Sequence, residues 1–125
     1  MIARPYDRVQ DTTTSTGTGG VVLDNAPPTG MQAFAARYTV GDLVPYTIQD
    51  QASGLWEVGI CQLVTTNSIS RSAVNVLDGS SGKGVLVNFT AGTKGVFATL
   101  PAQHVANLLR SCGIQAAMAG RYFFG

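Results

Sequence analysis

The sequence predicts a mainly β domain, a small antiparallel β-sandwich or barrel, with one short C-terminal helix. Three observations carry this prediction. Short runs alternate apolar and polar residues, as half-buried strands do. Turn-forming clusters rich in Gly, Asp, Asn and Ser recur at about 8–12 residues, the spacing expected of a sandwich or barrel. At Pro101 the apolar residues change to helical spacing. A chain of 125 residues makes one ordinary domain with a single core. Its expected division is a β domain over 1–100 and a C-terminal helix and docking tail over 101–125, with 1–16 as an N-terminal arm or edge strand.

The elements follow in order. The stretch YDRVQDTTTSTGTGG, Tyr6 to Gly20, has the composition of a flexible linker. As a strand it places Val9, Asp11, Thr13 and Ser15 on one face and Arg8, Gln10, Thr12 and Thr14 on the other. Thr favours this state because its branched Cβ suits a pleated surface. Such a strand has almost no apolar face of its own, so it is expected at an edge or paired with another subunit. GGVVLDN supplies a short strand at Val21 to Leu23, and MQAFAARY a helical turn or loop that packs Phe34 inward.

LVPYTIQD and LWEVGICQL, separated by DQASG, read as an antiparallel hairpin. In the first strand Val44, Tyr46 and Ile48 share a face. In the second, Trp56, Val58 and Ile60 are expected inward, with Glu57 and Gly59 opposite. On that assignment Trp56→Ala costs about 3–5 kcal/mol. Pro45 lacks an N–H, which places its strand at an edge or interrupts it. A third strand region spans Asn67 to Leu77, a turn spans Asp78 to Gly84, and VLVNF and VFATL, separated by TAGTKG, are further strands. From Pro101, Val105, Leu108, Leu109 and Cys112 form a helical stripe, with Pro101 in the first turn, Arg110 in the last and Gly113 just beyond.

Charged residues make up only 12% of the chain, against about 25% in an ordinary soluble domain. That suits a protein whose surface is covered within an assembly. The net charge is +1 and there is no basic run, so nucleic-acid binding lacks its electrostatic footprint. No stretch reaches the roughly 20 apolar residues of a membrane span, and the N-terminus has no signal-peptide core. Cys61 and Cys112 form no disulfide framework and read as small buried hydrophobes.

Chemical motifs fail in turn. Around GSSGKG the P-loop spacing is absent, because Asp78 or Leu77 stands where its first Gly belongs and Gly84 replaces its Ser/Thr. His104 is the sole histidine and no nucleophile-elbow pattern flanks a serine. One His and two scattered Cys do not make a zinc site, and the acidic residues fall mostly in turns rather than in a calcium cluster. No catalytic residue, cofactor or metal is expected. A glycan site usually pairs an exposed aromatic with polar groups. Trp56, the only Trp, is read as inward, which leaves Tyr6, Tyr38 and Tyr122 as candidates.

Several segments, in order, resemble a module of tailed-bacteriophage and prophage virion structural proteins, tail or tail-fibre associated. They are Asp7-Arg8-Val9, the Thr-Gly-Thr-Gly run at Thr16 to Gly19, Trp56 to Gly59, Arg71 to Val74, and Val87 to Phe97. The resemblance covers about Tyr6 to Ala102. Gly20 departs from the small polar or apolar residue often seen there, and the stretch after Ala102 has no counterpart. The resemblance implies a non-enzymatic virion protein, made in the bacterial host cytoplasm. The first expectation is a tail or tail-fibre anchoring or tail-tip subunit. The alternatives are a head decoration protein that cements capsomers and a host-surface glycan-binding module. Expected partners are other copies of the chain, a trimer by analogy with fibres, and other virion proteins, with no nucleic acid or membrane. The expected assembly interface joins Val9, Asp11, Thr13 and Ser15 to Ile114, Met118, Tyr122, Phe123 and Phe124. The N-terminal segment cannot bury enough apolar surface alone to offset its ordering, and the aromatic end has too much to leave in water.

Overall fold

The computed structural model of the chain describes residues 6–99, and these form a mainly antiparallel β fold. The strands are β1 (Gln10–Thr13), β2 (Val21–Val22), β3 (Leu43–Gln49), β4 (Trp56–Thr65), β5 (Ser68–Ser70), β6 (Val76–Gly79) and β7 (Lys94–Ala98). Their order in the sheet is β1-β7-β3-β4-β5-β2. The ten-residue β4 serves two partners along one edge, β6 at Glu57 to Gly59 and β5 at Gln62 to Thr65.

The sheet curls until its two ends meet, which nearly closes a barrel. Closure relies on a few individual bonds. Asp24 N–H donates to the Thr12 carbonyl at 2.8 Å, the Thr13 hydroxyl to the Val22 carbonyl at 2.6 Å, and Val22 N–H to the Ser15 hydroxyl at 2.9 Å. Inside, Val44, Tyr46, Ile48, Leu63, Val87 and Val96 have no exposed surface. A buried side chain of this size contributes about 1.5–3 kcal/mol. Phe34, on the 3-10 turn Phe34–Ala36, is 1% exposed and packs inward as expected.

The hairpin β3–β4 forms as expected, but the second strand is turned over. Its register pairs Val44 with Cys61, Tyr46 with Gly59 and Ile48 with Glu57. Directly opposed residues of an antiparallel pair share a face. The inward residues of β4 are therefore Glu57, Gly59, Cys61 and Leu63. Trp56 is 37% exposed, and Val58 and Ile60 are half-buried on the outer face. Trp56 is no core anchor, and the cost expected for truncating it does not apply.

Three further expectations are corrected. Pro45 does not mark an edge, because β3 lies between β4 and β7. It sits where the β7 ladder ends, and its carbonyl still accepts Thr99 N–H at 3.0 Å. The region Asn67 to Leu77 is divided by a 3-10 turn, Ala73–Asn75, into β5 and the start of β6. VLVNF has no ladder. It runs beside the sheet and takes a single bridge, Phe89 to Gly17. The predicted helix from Pro101 and the C-terminal tail lie outside the described residues.

Candidate functional site

The motif segments meet at one buried cluster. Glu57 is carried inward by the β3–β4 register, and Arg71 reaches it from the segment after β5. Their side chains are 0% and 1% exposed, and Arg71 Nη1 lies 2.8 Å from Glu57 Oε1. Glu57 Oε1 also accepts Val87 N–H at 2.8 Å, and Oε2 accepts the Tyr46 hydroxyl at 2.5 Å. Arg71 donates further to the carbonyls of Gly19 (2.9 Å), Gly17 (3.0 Å) and Val87 (3.3 Å). Its guanidinium carbon sits 5.4 Å from the centroid of the Phe89 ring, within range of a cation–π contact.

Removing two charges from water costs several kcal/mol each, which is offset only if their remaining lone pairs and protons are bonded. Here they are. Every guanidinium nitrogen has an acceptor, and each Glu57 oxygen has a donor. Burial, and then the bond to Glu57, push the Tyr46 phenol well above its ordinary range, so it stays protonated and donates. With both ions enclosed and bonded, the cluster ties four distant segments together: the Thr-Gly loop, β4, the segment after β5, and Val87 to Phe89.

The cluster explains the opening Thr-Gly run. Gly17 exchanges two backbone hydrogen bonds with Phe89, at 2.9 and 3.2 Å, and has φ +86°, a conformation suited to glycine. The loop is a clasped element and not a linker. It also explains Gly59. A Cβ there would lie 2.5 Å from the Asn75 carbonyl oxygen and 3.0 Å from Tyr46 Oη.

The two ions were legible as residue types but not as partners. One signal did point to the correct face. Gln62 has the same parity as Trp56, Val58 and Ile60, whereas Cys61 and Leu63 share the parity of Glu57. Extended to the end of the strand, the alternation favours Glu57 inward.

The expected assembly residues fall in two groups. Val9, Asp11 and Thr13 are each 1% exposed, and Ser15 is half-buried. Their polar groups are bonded within the chain: Asp11 Oδ1 accepts the N–H groups of Thr12 (2.7 Å) and Ala26 (2.9 Å). The strand β1 pairs with β7 on one side. On the other, Gln10 N–H meets the Gln32 carbonyl (3.1 Å), the Arg8 carbonyl takes Gln32 N–H (2.7 Å), and the Thr12 carbonyl takes Asp24 N–H. These side chains and this strand edge are thus occupied within a single chain. Ile114, Met118, Tyr122, Phe123 and Phe124 lie outside the described residues.

Of the aromatic candidates, Tyr38 is buried and packs edge-on against Tyr6, with ring centroids 5.0 Å apart; Tyr122 lies outside the described residues. Trp56 instead lines an open cleft of about 390 Å3 with Thr47, Gln49, Asp50, Gln51 and Gly54. Cys61 is a free, buried thiol, as expected, and burial raises its pKa far above the usual range. Among the described residues no three His, Cys, Asp or Glu side chains are grouped to hold a metal ion, and no helix is long and apolar enough to cross a membrane. No family model, curated protein or solved structure matches the chain.

Proposed function

We infer that this chain is a non-enzymatic structural protein of a tailed-phage particle, a tail or tail-fibre anchoring or tail-tip subunit that works as a homo-oligomer. The observation that carries the reading is the convergence of the motif segments. Glu57, Arg71, Gly17, Gly19, Val87 and Phe89 come from four of the collinear segments on which the resemblance rests, and they share one enclosed cluster. A module defined by residues that lock its own framework suits a structural role. The low charge content supports assembly. The strand β1 adds nothing to this, because its edge is occupied.

The test is immunogold labelling of particles purified from the source phage or induced prophage. Label on the tail is the expected result. Label on the head selects the decoration role instead, and absence from purified particles refutes both. Sedimentation of the isolated protein should show an oligomer, with a trimer expected.

A further inference from the structure

We propose that the outer face of the sheet around Trp56 is a binding site for a neutral, linear, flat-chained glycan. The inference does not rest on the virion role. It begins with the register. Trp56 of β4 stands opposite Gln49 of β3, Gln49 opposite Gly95 of β7, and Gly95 opposite Thr12 of β1. These four positions form one row across four strands. At a strand spacing of about 4.8 Å, three steps span roughly 14 Å, the scale of a short oligosaccharide.

The row is shaped as a trough. Gly95 leaves its middle without a side chain, and a Cβ there would stand 3.5 Å from Gln10 Nε2 and 3.9 Å from Phe97 Cε1. The cleft beside Trp56 continues, through the shared Gln49 and Gln51, into a second of about 420 Å3 lined by Gln10, Thr12, Gly95 and Phe97. The trough therefore has a Trp at one end, a Phe beside its glycine middle, and three Gln side chains along it.

That combination suits a sugar. The apolar C–H face of a pyranose packs on an aromatic ring, and a primary amide offers both donors and an acceptor to neighbouring hydroxyls. The lining also offers no exposed cation. Of the charged residues lining it, Asp50 and Lys94 are each 1% exposed, the Lys94 ammonium being bonded to the Gly92 carbonyl at 2.5 Å; at the far end the exposed Asp24 carboxylate accepts the Thr12 hydroxyl at 2.8 Å and would repel an acidic ligand. An acidic glycan would find no exposed cation here, so the ligand is neutral. A sheet surface with a flush aromatic fits a ribbon-like, β-linked chain better than a coiled one.

The experiment titrates the isolated full chain with cellohexaose, with maltohexaose as the coiled comparison. Trp56 is the only Trp, so its emission reports contact at the site directly, and calorimetry gives the affinity. Saturable binding of cellohexaose in the micromolar to millimolar range is expected. Trp56→Ala should weaken it at least tenfold. Gly95→Val fills the trough at a position where a Cβ meets only ordinary contacts, so it should abolish binding while the circular dichroism stays that of the folded wild type. Lack of saturable cellohexaose binding overturns the proposal, as does equal or tighter binding of maltohexaose or unchanged affinity in both variants. If the variants alter sedimentation and not sugar binding, the face is a contact between copies and the glycan site is refuted.

Discussion

Glu57→Gln is the sharpest probe of this fold. The substitution keeps the shape of the side chain and removes its charge. Arg71, its side chain 1% exposed, is then left in the interior with neutral acceptors alone, among them the carbonyls of Gly17, Gly19 and Val87. Removing one member of a buried ion pair costs about 3–5 kcal/mol. The Gln carbonyl, standing where Oε1 stood, still accepts Arg71 and Val87 N–H, which limits further loss, while the amide NH2 removes the acceptor of the Tyr46 hydroxyl; a donor left unpaired adds about 1–3 kcal/mol. Against a whole-domain stability of about 5–15 kcal/mol, this is about a fifth of the total or more. Urea denaturation followed by far-ultraviolet circular dichroism gives the number. The paired replacement, Glu57→Leu with Arg71→Met, should cost less than the sum of its two single changes by about 2 kcal/mol or more. A Glu57→Gln loss under about 1 kcal/mol, or a strictly additive pair, would refute the claim that these ions are coupled and enclosed.

Three smaller perturbations follow from the same geometry. Gly59→Ala forces a methyl group to within 2.5 Å of the Asn75 carbonyl and 3.0 Å of Tyr46 Oη, so a melting curve should show about 1–3 kcal/mol of destabilisation; a neutral outcome would mean that β4 does not run this close to its neighbours. Trp56→Ala should cost only about 1–2 kcal/mol, below the loss expected of a core Trp, because the ring is 37% exposed; a larger loss in urea would place it in the core after all. Asp50 has its carboxyl pKa lowered first by a hydrogen bond from the Ser53 side chain, then by the Ser53 and Ala52 N–H groups and the Lys94 cation, against the opposing effect of burial. A depressed folded pKa stabilises above the unfolded value of about 3.9 and is lost as pH falls through the folded one. Asp50→Asn should therefore lower the melting temperature at pH 6 more than at pH 2, and a difference independent of pH would show that the carboxylate makes no such contribution.

Read alone, the sequence determined the class of fold, the hairpin, the inward turn at Phe34 and most strand positions. These depend on local pattern: alternation, turn residues and β-branched side chains act within a few positions of one another. The sequence also marked Glu57, Gly59, Arg71 and the Thr-Gly run as unusual, through the resemblance they carry. Only the tertiary structure decided what they do. A two-fold alternation has two faces, and Trp56 to Ile60 alone point to the wrong one, with Trp, Val and Ile on one face and Glu and Gly on the other; only Cys61, Gln62 and Leu63 farther along lean toward Glu57 inward. The choice came from the register with β3 and from Arg71, 14 residues along the chain from its partner. The polar strand β1 posed the same problem. Its Asp11 and Thr13 look like residues for a surface, yet they are buried because their partners, Ala26 and Val22, return from the far end of the curled sheet. Burial of a polar group depends on whether its hydrogen bonds are met, and that depends on which distant segments closure of the sheet brings alongside.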